Sequence, residues 1–349
     1  YTGGIVSDNT GTIENCHNKV SVTGHNSYVG GVAGNNNNGT VKNSSNSGAI
    51  ISYSIFAGGI VGGYGTVENC VNNGVISNFG NDNTGGIAGG YSTIRNCRNN
   101  AAVVSTSIYV GGISGNSSNI CDSQNYGPVT STYADVNNNN ACVGGLVGYV
   151  NSQVWRSANY GDVTASGNYV GGIGGSGNDS IYESFNTGTV TGRGNSMYVG
   201  GILGGLTSNN GYALQDCYNL GAVEGGVYVG GIVGKQQGNH NVQTSYNFGP
   251  VTSRAYCGAV AGEGNSYNLD NCFYLDGTSE TAFGNLSGEA VRAYSLTKEG
   301  FAQKERFSGF NFNEKWAMSK TLNRPILKTN PEQGYVTLTI SNGETIEVK

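Results

Sequence analysis

A pair of adjacent glycines recurs at nearly constant intervals along most of the chain. Successive copies begin 26 to 33 residues apart. A fixed period between about 20 and 50 residues is typical of repeat proteins, in which each unit buries its apolar face only against its neighbours. One repeat therefore constrains the fold of all ten. The first glycines of the ten pairs are Gly3, Gly30, Gly58, Gly85, Gly111, Gly144, Gly171, Gly200, Gly230 and Gly258.

Each repeat contains short apolar runs bounded by glycine. The residue two positions after the first glycine is Ile, Val or Leu in every copy, and a further glycine follows two positions later in nine of ten. Runs of this length, rich in β-branched residues, favour strands of four or five residues over helices. We predict three short strands and three turns per repeat, which together form one rung of a β-solenoid.

The predicted fold class is all-β, a parallel β-helix (β-solenoid) of about ten rungs with a small C-terminal α+β cap. Rungs stack about 4.8 Å apart, and each strand pairs with its equivalent one repeat later. A second apolar position, three residues before a recurring Cys or Ser, predicts an inner aliphatic ladder. Its members are Ile13, Val41, Val67, Ile94, Ile120, Val154, Ile181, Leu214, Val242 and Leu269.

Two polar positions also repeat. Five of the eight cysteines share one position with five serines, which favours a small stacked interior side chain over disulfides, although disulfides remain an alternative. Two residues later an asparagine stands in nine copies, and stacked amides can pass hydrogen bonds from rung to rung. We prefer this structural role for the asparagines over ligand binding. They are Asn18, Asn46, Asn72, Asn99, Asn125, Asn159, Asn186, Asn219 and Asn247.

Charge and hydropathy exclude several classes of partner. The net charge is −5 and no basic cluster occurs, which argues against nucleic acid and against an anionic membrane surface. No apolar run reaches the 18 residues needed to cross a bilayer, so we expect no membrane insertion. Because the sequence opens at Tyr1 inside a repeat, we expect a monomeric piece of a longer chain.

These motifs together resemble a known family. The phrase YVGGIVG at 228–234 and the phrase DCYNLGAV at 216–223, repeated with the same period, are similar to GLUG repeats. The resemblance covers residues 1 to about 276 and implies a bacterial cell-surface or secreted protein. Adhesin-like proteins and non-catalytic regions of surface proteases carry such repeats. A few copies depart from the pattern, for example Asn83 and Cys142 at the usual aromatic position and Ala259 in the last glycine pair.

The period stops near Asp276, which predicts a domain boundary there. Residues 277–330 are predicted to form a cap with a short helix over Thr297 to Arg306, and the apolar residues around Trp316 to pack on the last rung. A segment ending in Trp and a Pro-Ile-Leu phrase is similar to the one that often follows GLUG repeats. Residues 331–349 are predicted to form a β-hairpin that starts a further domain.

Aromatic residues recur two positions before the glycine pair and are the main binding candidates. Exposed rings would stack on glycan or peptide, whereas buried rings would only seal a corner of the solenoid. The longest repeat also carries an insertion with the candidate binding residues Tyr133, Asp135 and Asn137. The ladder candidates are Tyr28, Phe56, Tyr109, Tyr169, Tyr198, Tyr228 and Tyr256.

Catalysis is the main alternative to a binding function. Glu14 and Glu68 share a register two rungs apart, roughly 10 Å, so a paired-carboxylate site of a polysaccharide lyase or glycoside hydrolase stays open. The three histidines lack metal-ligand spacing, and Asn81, Asp82 and Asn83 favour a loop turn over a calcium site. We assign no catalytic, cofactor or metal residues.

We expect a non-catalytic extracellular adhesin or binding and stalk module, at the bacterial cell surface or secreted, that recognises glycan or a host-surface protein and uses no cofactor. The alternatives are a polysaccharide-degrading β-helix enzyme and a non-catalytic spacer of a surface protease. Saturable ligand binding would support the adhesin, turnover of a polysaccharide would support the enzyme, and the absence of both would support the spacer.

Overall fold

The structure is a computed structural model that describes residues 1–25, 27–133, 141–194, 196–206, 213–236, 241–265, 269–287, 292–329, 336–339 and 345–348. Within these residues the chain winds as a parallel β-solenoid. Each turn contributes to four sheets, which we number 1 to 4 in the order that the chain visits them. Sheet 1 has ten strands and sheet 4 has nine, so the ten glycine pairs enclose about nine complete turns.

Sheets 1 and 4 lie on either side of the corner where one turn passes into the next. Sheet 1 consists of Thr2–Gly3, Tyr28–Gly30, Phe56–Gly58, Asn83–Gly85, Tyr109–Gly111, Cys142–Gly144, Tyr169–Gly171, Tyr198–Gly200, Tyr228–Gly230 and Tyr256–Gly258. Sheet 4 consists of Val22–Gly24, Ile50–Ser52, Ile76–Asn78, Val103–Ser105, Val129–Ser131, Val163–Ala165, Val190–Gly192, Val223–Gly225 and Val251–Ser253.

Sheets 2 and 3 complete the turn. Sheet 2 consists of Val6–Asp8, Thr12–Glu14, Ala33–Asn35, Thr40–Lys42, Val61–Gly63, Thr66–Glu68, Ala88–Arg95, Ser114–Cys121, Val147–Val150, Val154–Trp155, Gly174–Gly177, Ile181–Tyr182, Leu203–Leu206, Ala213–Gln215, Val233–Lys235, Asn241–Gln243, Ala261–Asn265, Leu269–Asp270 and Phe283–Ser287. Sheet 3 consists of His17–Asn18, Ser45–Asn46, Val71–Asn72, Arg98–Asn99, Gln124–Asn125, Ala158–Asn159, Phe185–Asn186, Tyr218–Asn219, Tyr246–Asn247, Cys272–Leu275 and Ala293–Leu296.

The predicted solenoid is confirmed, but the prediction of three strands per rung is wrong. Most turns contain five strands of two to four residues, because sheet 2 receives two strands per turn. A residue with positive φ separates sheet 2 from sheet 3 in every turn, as at Asn69 (φ 53°) and Asp122 (φ 52°). This left-handed turn splits what the sequence pattern presents as one strand.

The interior is divided into two aliphatic cores by glycine and asparagine. One core lies inside sheet 2 and contains most of the predicted aliphatic ladder, for example Val67 and Ile94, both fully buried. The other lies between sheets 4 and 1 and contains residues such as Val103 and Val110. Between them a Cβ atom on Gly112 would overlap the Asn125 side chain, so the second glycine of each pair allows this close approach.

The asparagines form the predicted ladder. The Nδ2 atom of each donates to the Oδ1 atom of the next asparagine at 2.7 to 2.9 Å in all eight steps from Asn18 to Asn247. The same amide also donates to the carbonyl oxygen two residues later, as from Asn125 to Gly127. These bonds satisfy the turn between sheets 3 and 4 inside the protein.

Parallel pairing continues beyond Asp276, where the sequence period stops. The strand Phe283–Ser287 pairs with sheet 2 and the strand Ala293–Leu296 pairs with sheet 3. The short helix is present over Lys298–Phe301, with Thr297 as its N-cap, and a 3-10 turn follows at Lys304–Arg306. The α-helix is shorter than predicted: it has only four residues, and the rest of the predicted span contains the 3-10 turn.

The C-terminal segment packs on the side of the solenoid rather than over its end. An antiparallel hairpin of Trp316–Ser319 and Arg324–Leu327 follows the helix. These elements and the phenylalanines between them bury the outward aromatic column of sheet 3. The cluster comprises Ala158, Phe185, Tyr218, Tyr246, Phe273, Phe301, Phe307, Phe310, Trp316 and Leu327.

The predicted apolar residues contact the last rung at Phe273, through Phe307 and Phe310, and also extend along the side of earlier turns. Phe185 and Phe273 belong to turns three repeats apart, so the cover runs along the rod axis. The outward column after the Cys/Ser position contains no Phe, Tyr or Trp in the first six repeats, as at Ser45, and is aromatic from Phe185 onward. A second antiparallel pair, Val336–Thr339 with Thr345–Val348, agrees with the predicted hairpin.

Candidate functional site

The predicted aromatic ladder lies on sheet 1 beside the corner with sheet 4. Parallel register aligns Tyr28 with Phe56, and Tyr169 with Tyr198 and then Tyr228. Exposure varies along the column. Phe56 and Tyr198 are buried, Tyr28, Tyr109, Tyr169 and Tyr228 are half-buried, and Tyr256 is exposed.

The ladder rings cover one another. Ring centroids are 4.8 Å apart for Tyr28 and Phe56, 5.1 Å for Tyr169 and Tyr198, and 5.0 Å for Tyr228 and Tyr256, with interplanar angles of 7 to 22°. A stack of this kind uses the ring faces for contacts within the protein. The ladder therefore presents mainly ring edges to a ligand, and a sugar ring has few open faces on which to stack.

Several ladder rings pack against a glycine of sheet 2 in the next turn. A Cβ atom on Gly205 would lie 2.7 Å from Cε1 of Tyr169, and one on Gly63 would lie 3.2 Å from Cδ1 of Tyr28. The same offset brings Tyr198 against Lys235, whose Nζ atom lies 4.6 Å from the ring centroid and 3.1 Å from the hydroxyl oxygen. These contacts fix the ring orientations.

Two turns interrupt the ladder. Asn83 stands between Phe56 and Tyr109, and Cys142 stands between Tyr109 and Tyr169; Asn83 and Cys142 are both buried. Of the predicted loop residues, Tyr133 is half-buried with its backbone N–H bonded to Ser131. Asp135 and Asn137 lie outside the described residues.

The carboxylates considered for catalysis belong to a column of alternating charge on sheet 2. Lys42 aligns between Glu14 and Glu68, and its Nζ atom lies 3.1 Å from a Glu14 carboxylate oxygen. Glu68 in turn faces Arg95 at 3.8 Å. Glycosidases need two carboxyl groups about 5 to 9.5 Å apart with a substrate between them. Here a lysine fills that space.

Other ionisable groups also pair between turns. The Arg156 guanidinium makes two 2.7 Å bonds to Asp122, and this contact lowers the pKa of that carboxyl. Burial raises the pKa of the Cys272 thiol to about 12, which keeps it neutral and unreactive. Among the described residues, no group of three or more His, Cys, Asp or Glu could hold a metal ion.

Sequence reasoning missed a second column of rings beside the ladder. Tyr64 and Tyr91 stack with centroids 5.7 Å apart, and each also contacts a ladder ring, Tyr28 and Phe56 respectively. Both tyrosines are more than one-third exposed and have positive φ, 67° and 54°. No periodic signal identifies them, because only these two turns carry a tyrosine at that position.

A further exposed stack lies on the sheet 4 side of the corner. His25, Tyr53 and Phe79 follow three successive strands of sheet 4, with centroids 4.7 and 5.3 Å apart. Tyr53 is 51% and Phe79 57% exposed.

A cleft of about 690 Å³ opens at the other end of sheets 1 and 4, lined by Cys257, Asp276 and Glu280 among others. None of the predicted binding residues is among the residues that line this cleft.

Comparison with known proteins identifies the repeat. The GLUG motif matches residues 25–51, which span one turn from His25 through the start of the next sheet 4 strand. The turns before and after it have the same strand order and aligned registers. The predicted resemblance to GLUG repeats is therefore confirmed. A comparison with curated protein sequences finds no match.

One solved structure is similar over much of the chain. It is the crystal structure of a "putative immunoglobulin A1 protease" from Bacteroides ovatus, with 16% sequence identity and a TM-score of 0.48. The match covers 76% of the present chain and 86% of that protein. Similarity at this level carries no inference about function. Within the described residues, no helix is long and apolar enough to cross a membrane.

Proposed function

The chain is built from the GLUG repeat, and from this premise we propose that it is a non-catalytic, extracellular adhesin or binding module of a bacterial surface protein. GLUG repeats occur in bacterial surface proteins, which supports this location. We propose glycan or a host-surface protein as the ligand. The rod would hold its binding surface away from the cell.

The column of alternating charge on sheet 2 is the observation that supports a non-catalytic function. The carboxylates of Glu14 and Glu68 are separated by Lys42, and each has a basic partner in a neighbouring turn. Lys42 thus occupies the space between the two carboxylates that a glycosidase leaves open for its substrate. These groups therefore stabilise the stacking register instead.

The test is to measure binding and turnover on the same purified chain. We expect saturable binding to an array of glycans and host-matrix proteins, and no reducing-sugar release from a panel of polysaccharides. Turnover that survives exchange of Lys42 for methionine and is lost with Glu14→Gln would establish the enzyme instead. A chain that neither binds nor turns over any of these substances would be a spacer.

A further inference from the structure

Four aromatic rings form a two-by-two array on the rod surface at the second to fourth turns. Tyr28 and Phe56 stack at 4.8 Å in the ladder, and Tyr64 and Tyr91 stack at 5.7 Å beside them. The two stacks are inclined to each other by 51 and 52°. Two inclined rows of rings define a shallow aromatic trough that runs along the rod.

The outer row is held in an unusual backbone conformation. Tyr64 and Tyr91 both have positive φ, and Tyr64 is followed by Gly65, also with positive φ. A bulky residue rarely adopts this conformation, and such residues concentrate at functional sites. The exposed fractions of 37 and 38% show that burial of the rings does not by itself explain it. The conformation places two tyrosine rings at the surface.

Polar groups adjoin the array where the ladder is interrupted. Asn83 aligns between Phe56 and Tyr109 on sheet 1, and Asn116 aligns with Gly90 on sheet 2. Phe56 packs on Gly90, and in the next turn Asn83 and Asn116 occupy the positions that correspond to these two residues. Both are more than nine-tenths buried, and their Oδ1 atoms accept no hydrogen bond. Buried acceptors without a donor are rare and call for one.

A carboxylate lies at the same place. Asp82 precedes Asn83 and is half-buried, and burial raises the pKa of its carboxyl group. The backbone oxygen of Asp82 accepts from the Tyr109 N–H at 2.8 Å, so Asp82 lies beside the ladder position of Tyr109. The trough thus ends in acceptors.

We propose that the array of Tyr28, Phe56, Tyr64 and Tyr91, with Asn83, Asn116 and Asp82 at its edge, is a binding site for a neutral saccharide. This inference rests on the proposed binding function and names its site and ligand class. The exposed rings of Tyr64 and Tyr91 contact the C–H groups of the sugar, and the ladder rings of Tyr28 and Phe56 pack behind them. The Tyr64 hydroxyl, which accepts from Tyr28 at 3.3 Å, donates onward to a sugar oxygen.

The mixture of donors and acceptors selects this ligand class. A sugar hydroxyl both donates and accepts, so it satisfies tyrosine hydroxyls, amide oxygens and a carboxylate at once. An ammonium ligand would leave the tyrosine hydroxyls without acceptors. A uronic or sialic acid would place its carboxylate near that of Asp82, and like charges at short range repel. A neutral sugar meets neither penalty.

The experiment is isothermal titration of the whole chain with cellohexaose, mannohexaose and chitohexaose, and with hexagalacturonate as the acidic probe. The test variant carries Tyr64→Asn and Tyr91→Asn, because asparagine tolerates positive φ and so removes the rings without straining the turns. The matched control carries Tyr53→Ser and Phe79→Ser, which removes two exposed rings from the sheet 4 side of the corner. Thermal unfolding of all three proteins is measured alongside.

We expect at least one neutral hexasaccharide to bind, at least tenfold more weakly to the test variant and within twofold to the control, with unfolding temperatures unchanged. Equal affinity of the test variant and the wild type would overturn the site. Binding of hexagalacturonate alone would overturn the ligand class, and so would the absence of any binding by the neutral probes. The proposed function survives these results if the chain still binds an acidic glycan or a host-matrix protein.

Discussion

The Lys315 Nζ atom lies 2.6 Å from a carboxylate oxygen of Asp216, which is 99 positions earlier in the chain. The other oxygen of Asp216 accepts from the Trp316 indole N–H at 3.1 Å and from the Thr244 hydroxyl at 2.7 Å. Asp216 is almost fully buried, so these bonds are shielded from water. They fix the C-terminal segment to the side of the solenoid.

Asp216→Asn should destabilise this docking by about 2 kcal/mol, because it removes the charged partner of Lys315 from a buried site. Asparagine tolerates the positive φ of this position, so the backbone is not strained. The measurement is urea unfolding followed by Trp316 fluorescence in a Trp155→Phe background. The control Glu224→Gln removes an exposed carboxylate from sheet 4 and should change stability by less than about 0.5 kcal/mol. Equal stability of D216N and the parent would show that the ion pair does not hold the segment.

Truncation after Leu296 should produce oligomers although it keeps the strands that extend the solenoid. Removal of the segment exposes the aromatic column that includes Phe185, Tyr218 and Tyr246, and contiguous apolar patches of this kind promote association. Light scattering measures the oligomeric state, with β-sheet circular dichroism as the check on folding. A monomeric 1–296 chain beside an oligomeric 1–276 chain would instead show that the open strand edge causes association.

The sequence was sufficient to predict the ladders because they depend on the repeat period. Any residue type that recurs once per turn must stack on itself, so the positions of Asn72 and Asn99, or Val67 and Ile94, follow from counting. The turn before each Cys/Ser was missed because its residue type varies. Asn, Asp, Arg, Glu and Thr all occupy this left-handed position, as at Asp122 and Arg156.

Features present in only some turns could not be found from the period. Tyr64 and Tyr91 occur at their position in two turns only, so they form no ladder in the sequence. The side-on docking did leave a signal, since the residue after the Cys/Ser position is aromatic at Phe185, Tyr218, Tyr246 and Phe273. A run of aromatic residues at an outward-facing repeat position predicts that another segment of the protein packs on that face of the solenoid.

Asn125→Ala should lower the free energy of unfolding by about 3 kcal/mol, since buried partners are left without hydrogen bonds. Asn125 donates to Asn159 and to Gly127, and it accepts from Asn99, each at 2.8 Å. The matched control is Asn100→Ala, whose amide bonds to Asn73 at the surface and should matter by less than about 0.5 kcal/mol. Similar losses in urea unfolding for both variants would contradict the importance of the buried ladder.

Stability should fall as the pH rises above about 8.5, the ordinary pKa of a thiol in an unfolded chain. Burial raises the pKa of Cys217 and raises that of Cys272 to about 12, so the folded protein keeps protons that the unfolded chain releases. Stability is therefore complete below pH about 8.5 and is lost progressively toward pH 12. Urea midpoints at pH 7.5 and 10 measure the effect. Serine at both positions, as in Ser44 of the same column, should reduce the slope, and an unchanged slope would exclude these thiols as its source.

A thiol reagent should label at most two cysteines in the native protein and eight after denaturation without reductant. All eight are free thiols, and only Cys16 and Cys257 are not buried. Reaction requires the thiolate, which burial disfavours. Labelling is counted by mass spectrometry. A denatured count near zero would mean that disulfides form between turns, for which Cys70 and Cys97, at the same position in adjacent turns, are candidates.

The asparagine ladder makes the rod directional. In every step the amide N–H of one turn points to the amide oxygen of the following turn, from Asn18 to Asn247. The side-chain dipoles therefore add head to tail, and hydrogen bonds in such a chain polarise one another. A turn offers oxygens toward the start of the chain and N–H groups toward its end. Two rods can thus continue each other's ladder only when they point the same way, and opposed rods would bring oxygen to oxygen or N–H to N–H.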